Sequence, residues 1–246
     1  MPITLILIPS RMSATRLPGK PLLKINNLSI ISHVVNKAKN TELGRVVVCT
    51  EDQSILDDVI KNGGEAILTG IHHKSGTDRI WEGYKKLNIK DIDYILNVQG
   101  DEPAINEKDI INLNNMMIET KSNIGTLGAI IKDQKMFSNE NIVKVATREK
   151  LKNKNSSLAI SFKRNHIFKE EENIYHHIGI YAYKAKTLKK FIDLDQSKNE
   201  IKSRLEQLRA LDNNLQINVT LAKSSPIGVD TKEDYVALKK IMEYKS

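Results

Sequence analysis

The sequence predicts an α/β fold: a mostly parallel sheet flanked by helices, followed by a partly antiparallel lobe. Two observations carry this reading. Short β-branched runs alternate with segments of helical period through the first half, the pattern of βαβ units. The second half instead has several strand-like runs in succession, and no Pro-, Gly- or Ser-rich linker or internal repeat cuts the chain in two.

The elements follow in order. Ile3–Ile8 (ITLILI) reads as the first strand. In SIISHVVNKAKN, Ile30, Ile31, Val34, Val35 and Ala38 fall on one helical face behind Ser29 as N-cap. RVVVCT is the next strand, SILDDVIKNG a short helix closed by Gly63, and EAILT a third strand. TDRIWEGYKKL is helical, DYILNV is a strand, and EKDIINLNNMMIET is helical again. Beyond these, GTLGAIIK, NIVKVAT, SLAISF, HIGIYAYK and QINVTLAK read as strands. AKTLKKFIDL, NEIKSRLEQLRAL and KEDYVALKKIMEYK read as helices. The first half is thus Rossmann-like.

With 40% hydrophobic and 28% charged residues, the composition is that of a soluble globular protein. No apolar segment approaches the length of a membrane span, and the N-terminus lacks the basic region and cleavage site of a signal peptide. The chain is therefore expected to be cytoplasmic, with no membrane partner. Cys49 is the only cysteine, which excludes an intramolecular disulfide. A net charge of +8 raises nucleic-acid binding, but the excess lysines are dispersed and aromatics are only 5%, so no basic stripe with stacking residues is formed.

In open α/β sheets ligands bind beyond the carboxyl ends of the strands. Two loops lie there. Ile8–Leu22 (IPSRMSATRLPGKPL) carries Arg11, Arg16 and Lys20 with the small residues Ser13 and Ala14 and a Pro18-Gly19 turn, which suits an extended polyanion. It is neither a Walker A sequence nor a GxGxxG loop. QGDEP, Gln99–Pro103, places Asp101 and Glu102 after DYILNV, and GVDTKED supplies Asp230 before the last helix. Carboxylates brought together repel unless a hard cation such as Mg²⁺ lies between them. The alternative makes Asp101 a turn residue and Asp230 part of a capping segment with Thr231 and Glu233. SGTDR, Ser75–Arg79, sets glycine and hydroxyls before a helix, suiting a base edge, a phosphate or a plain N-cap. His177 and Tyr181 share one strand face with Gly179 between them, and Glu206 and Gln207 sit on a helix whose Leu205 and Leu208 face the core.

Taken in order along nearly the whole chain, IPSRMSATRLPGKPL, SGTDR, NVQGDEP, HIGIYAY, LEQLRAL and GVDT resemble the 3-deoxy-manno-octulosonate (Kdo) cytidylyltransferases. The resemblance implies one cytidylyltransferase domain over residues 1–246, of the nucleotide-diphospho-sugar transferase type. It implies transfer of CMP from CTP to Kdo with release of pyrophosphate, toward lipopolysaccharide. Arg11, Ser13, Arg16, Lys20, Ser75, Gly76, Arg79 and Asp101 would contact the nucleotide, and Asp101 and Asp230 would hold Mg²⁺. Arg11, Lys20, Asp101 and Asp230 would be catalytic. Gln99, Arg164, His177, Tyr181, Glu206 and Gln207 would line the sugar site, with Arg164 suited to the Kdo carboxylate. After Arg164 the family's Pro-rich turn is replaced by the proline-free NHIFKEEENIY. A homodimer built through the second half is also implied. Within the same chemistry the alternatives are an 8-amino Kdo analogue or a sialic acid as acceptor; outside it, a non-catalytic nucleotide- or RNA-binding protein.

Overall fold

A computed structural model describes residues 2–13, 16–152, 155–165, 173–226 and 228–244. Two compact units emerge, one of residues 3–107 and 226–246, the other of residues 108–225.

In the first unit β1 (Thr4–Ser10) is buried at every position. It does not alternate, because a parallel strand covered on both faces is apolar throughout. A two-residue turn at Asn26 and Asn27, both at positive φ, joins β2 (Lys24–Ile25) to β3 (Leu28–Ser29), a hairpin the sequence reading did not anticipate. Ser29 then caps α1 (Ile30–Lys39), its hydroxyl accepting the Ser32 N–H at 3.2 Å, and the expected five apolar residues of α1 are all buried. β4 (Gly44–Thr50), α2 (Gln53–Lys61), β5 (Ala66–Leu68), α3 (Gly76–Leu87) and β6 (Tyr94–Asn97) complete the βαβ series. The strands run parallel in the order β5-β4-β1-β6, with Thr4 opposite both Gly44 and Tyr94. Parallel pairing sends the segments after β1 and β6 out at the same end of the sheet.

The second unit contains α4 (Glu107–Thr120, from Lys108 onward), β7 (Ile124–Ala129), α5 (Lys135–Ser138), β8 (Lys144–Thr147), β9 (Ser156–Lys163) and β10 (Asn173–Lys184). α6 (Ala185–Ile192), α7 (Lys198–Ser203), α8 (Leu208–Asp212) and β11 (Ile217–Leu221) follow. Its strands pair in the order β10-β7-β11-β9-β8, and β8 also pairs with β10 through Asn173–His176, so the five strands close into a ring. Only β7 with β11 is parallel; the rest are antiparallel. The chain then returns to the first unit as α9 (Lys232–Glu243), whose Leu238 packs with Ile25, Ile30 and Val229. Among the described residues no helix is long and apolar enough to cross a membrane.

One expectation fails locally. NEIKSRLEQLRAL is not one helix: α7 stops at Arg204, which turns left-handed at φ 53°, and α8 restarts at Leu208. Glu206 and Gln207 therefore occupy the turn between helices, and Gln207 is buried there. The break has an electrostatic reason. It folds Arg209 back on Glu200, nine residues earlier, in a two-pronged pair at 2.9 and 2.6 Å, with Phe191 under the guanidinium at 4.8 Å. Both charges are buried, so removing one strands the other. Arg209→Met is expected to cost about 3–5 kcal/mol in urea unfolding, and Glu200→Leu/Arg209→Met distinctly less.

Candidate active site

The loops after β1 and β6 meet around Pro9. A side chain on Gly100 would come within 2.9 Å of the Pro9 carbonyl oxygen, so only glycine lets the two strand ends approach this closely. A cavity of about 340 Å³ opens beside them. Arg11, Ser13, Arg16 and Lys20 line it from the first loop, Ser75, Gly76 and Arg79 from the start of α3, and Gln99, Asp101 and Asp230 from the remaining strand-end segments. Ala14 lies outside the described residues.

Local chemistry explains how Lys20 reaches this place. Pro18-Gly19 turns the chain, Gly19 adopting φ +72°, a conformation that a side chain would strain. The Gly19 N–H returns to the Met12 carbonyl at 3.3 Å and closes the loop. Lys20 then begins a short 3₁₀ turn and is buried, its ammonium 2.6 Å from Asp101 Oδ2 and 3.4 Å from Asp230 Oδ1. Arg16 pairs with the other oxygen of Asp230 at 3.0 Å. Among the described residues Arg11 has no carboxylate partner, and it is exposed at the cavity wall.

Asp101 and Asp230 are brought together by main chain. The Val229 N–H donates to the Asp101 carbonyl at 3.0 Å, and Asp230 is held by its own N–H to Asp234 Oδ2 at 3.1 Å. The capping segment does exist, but its box is Thr231 with Asp234, not Glu233, which leaves the Asp230 carboxylate turned to Arg16 and Lys20. Beside the pair lies Glu102. Burial, then the charges of Asp101 and Asp230, push its carboxyl up to about 8 against the pull of Lys20. Its Oε2 is buried and, among the described residues, has no hydrogen-bond partner; the same holds for Ser10 Oγ, on a residue that also lines the cavity. Sequence reasoning gave neither residue a role, although Ser10 ends β1 and Glu102 adjoins Asp101.

At the third wall Ser75 caps α3, accepting the Asp78 N–H at 3.1 Å, so the positive end of a twelve-residue helix faces the cavity through Gly76. Arg79 is only 2% exposed and its guanidinium is committed: it donates to Thr69 Oγ1 at 2.7 Å, to the Gly70 carbonyl at 3.2 Å and to Glu51. Its place is in the wall, with its charge already balanced. His73, also in the wall, meets Glu82. His72, His73 and Glu82 bring ligand-type atoms within 4.8 Å of one another, but Glu82 already accepts from Gly70 N–H at 2.9 Å and Lys86 at 2.7 Å. Despite burial, those partners and His73 pull Glu82 down to about 2, the behaviour of a satisfied carboxylate.

Of the residues matched to a sugar site, only Gln99 belongs to the first unit. In the second, His177 and Tyr181 do share a face, their rings 5.4 Å apart across an irregularity in β10 that accommodates Gly179 and Ile180. Thr126 Oγ1 lies 3.0 Å from His177 Nε2. Burial, then Tyr183 and then Glu206, raise the Tyr181 phenol well above its usual range, which places Glu206 near it. Arg164 donates to the carbonyls of Glu140 at 3.2 Å and of Ser203 and Arg204 at 3.4 Å, and its own carbonyl accepts from the buried Lys144 at 2.5 Å. The segment 166–172 that follows lies outside the described residues.

Burial, then His176, hold His177 down to about 3 from a usual 6.5, so the folded protein keeps it neutral. The unfolded chain takes up a proton as pH falls below about 6.5 while the folded chain does not until about 3, so this stabilisation is present above 6.5 and lost on acidification. Urea unfolding should show His177→Gln losing about 2 kcal/mol less than the parent between pH 6.5 and pH 5.

Three comparisons bear on this geometry. A family profile described as Cytidylyltransferase matches residues 5–217. The 3-deoxy-manno-octulosonate cytidylyltransferase of Afipia carboxidovorans is 41% identical over 240 residues, covering 97% of this chain and 96% of that one. That of Thermodesulfovibrio yellowstonii is 39% identical over 256 residues, covering 98% of each. A solved structure of CMP:2-keto-3-deoxy-manno-octonic acid synthetase complexed with CTP superposes with a TM-score of 0.89 at 30% identity, covering 99% of this chain and 100% of that chain. UDP-glucose pyrophosphorylase complexed with UDP-glucose shares the fold alone, at TM-score 0.73 and 14% identity over 99% of this chain and 100% of that chain. Strand-end cations, a converging carboxylate pair and full-length similarity agree: the chain belongs to the family of 3-deoxy-manno-octulosonate cytidylyltransferases.

Proposed function

We propose that the protein transfers CMP from CTP to the anomeric hydroxyl of Kdo and releases pyrophosphate. The observation that carries the reading is the single cavity in which the cations after β1 face Asp101 and Asp230, in a chain of this family. The acceptor sugar and the triphosphate are both anionic, and each pair of unit charges near 4 Å repels by about 1 kcal/mol in water and about 4 at an effective surface dielectric. Arg11, Arg16 and Lys20 offset that repulsion. They draw the β- and γ-phosphates to one wall and stabilise the charge that collects on the leaving pyrophosphate. The Gly76 N–H at the start of α3 supplies an uncharged donor there, while the Ser75 hydroxyl is committed to Asp78 at 2.9 Å. The hydroxyl attacks the α-phosphorus as the bond to pyrophosphate breaks, so positioning and charge stabilisation suffice without a covalent enzyme intermediate.

Asp101 and Asp230 are the residues that would hold Mg²⁺. The donor set fits a hard divalent cation: it is all oxygen, both carboxylates are already close enough to share one ammonium, and the neighbouring Glu102 carboxyl is held up to about 8 by burial and then by the charges of Asp101 and Asp230. When bound, the ion supplies polarisation of the phosphoryl oxygens and neutralises charge. Arg16 and Lys20 pair with those same carboxylates, so in this reading the cations would turn to phosphate as the carboxylates took up the divalent ion.

In the second unit His177, Tyr181, Glu206 and Gln207 offer the mixed donors and acceptors that sugar hydroxyls require, and Arg164 a guanidinium for the sugar carboxylate. The protein works in the cytoplasm as a homodimer in this reading. The exposed Ile160 and Ile201 of the second unit, each 62% exposed, support apolar association there. Sedimentation should accordingly return twice the chain mass, and Ile160→Glu/Ile201→Glu should shift it toward monomer.

Pyrophosphate release tests the chemistry. It should require CTP, Mg²⁺ and Kdo together, and Asp101→Ala and Lys20→Met should each lower kcat by about 10²-fold or more while the fold is retained. Turnover with a sialic acid or the 8-amino analogue but not with Kdo would overturn the acceptor; cytidylyl transfer retained in Asp101→Ala would overturn the metal assignment.

A further inference from the structure

Asp52 stands at the N-cap of α2, where an aspartate ordinarily accepts an N–H from the first turn of its own helix. Here its side chain makes no such bond. Instead Oδ2 accepts the N–H of Met12 at 2.8 Å, forty positions earlier in the chain. The Asp52 backbone is itself fixed, its N–H donating to Thr50 Oγ1 at 3.1 Å. Thr50 is fully buried and ends β4 directly opposite Ser10, the end of β1. A rigid strand end thus presents the carboxylate to the cation-bearing loop.

Met12 is the point at which that loop is tied on both sides of its peptide unit. Its N–H goes to Asp52, and its carbonyl accepts the Gly19 N–H that closes the loop. Its immediate neighbours, Arg11 and Ser13, line the cavity. A main-chain donor held by a charged acceptor is among the stronger hydrogen bonds, and it restrains the backbone from which both side chains project. We propose that Asp52 is a positioning residue for nucleotide binding: it forgoes capping α2 in order to anchor Met12 and so hold Arg11 and Ser13 toward the triphosphate. The inference rests on the reading of the cavity as a CTP site.

The test measures CTP binding in Mg²⁺ by titration calorimetry alongside thermal unfolding, for the parent, Asp52→Ala and Asp52→Asn. Asp52→Ala is expected to weaken CTP binding about tenfold, the scale of one hydrogen bond to a charged group. Its Tm should stay near the parent's, because α2 has no side-chain cap to lose. Asp52→Asn keeps an oxygen able to accept the Met12 N–H and should recover most of the affinity. Equal CTP affinity in Asp52→Ala and the parent would overturn the inference. So would a fall in Tm by several degrees in Asp52→Ala that Asp52→Asn restores while CTP affinity is the same in all three proteins, the signature of an ordinary helix cap. A parent protein that binds no CTP would overturn the nucleotide reading itself and this inference with it.

Discussion

Everything at the mouth of the first sheet depends on how its charges are balanced. Lys20 is buried and touches two carboxylates; without it, Asp101, Glu102 and Asp230 would crowd three acidic groups into one strand-end corner. Glu102 registers the strain, its carboxyl held up to about 8 by burial and by its two acidic neighbours even with the ammonium present. The corner tolerates these acids because cations already sit among them, and the carboxylates they hold are partly exposed at the cavity.

The scaffold behind that corner is rigid for reasons that have little to do with chemistry. β1 is buried along its whole length and paired on both sides, so its end is fixed by seven residues of register with β4 and four with β6. Arg79 braces α3 against Glu51, Thr69 and the Gly70 carbonyl. Side chains at the ends of rigid elements can be placed more closely than those on free loops. The long first loop has only the short 3₁₀ turn from Lys20 among its described residues and gains rigidity through hydrogen bonds at Met12 and Gly19.

Much of this was legible in the sequence, because the informative signals were local. Alternating apolar runs and helical periods locate β1, α1, β4 and β6, and the strand-end rule selects the segments containing Lys20 and Asp101 from sequence alone. Features that depend on distant partners were not legible. The break at Arg204 follows from Glu200 and Arg209 finding each other, and a helical period cannot reveal it. Arg79, the last residue of SGTDR, is matched in sequence to a nucleotide contact, but Glu51, 28 positions earlier, already pairs with it. The capping box similarly went to Asp234 where Glu233 was expected, a choice between adjacent acids that turns on which side chain faces the helix end.

The closed ring of the second unit has a consequence for how the protein can associate. β7, β8, β9 and β11 each have hydrogen-bonded neighbours on both edges, since β8 turns back to β10. Among the described residues β11 pairs with β9 only over Ser156–Leu158, so the remainder of that edge of β9, toward Lys163, is left without a strand partner. Ile160 lies on that stretch, at the register shift between Ser161 and Ala159 in the pairing with β8, so an exposed apolar side chain sits where the ladder is interrupted. Contacts over the doubly paired strands are a matter of side-chain shape and open to adjustment by substitution, whereas the far end of β9 also offers backbone groups.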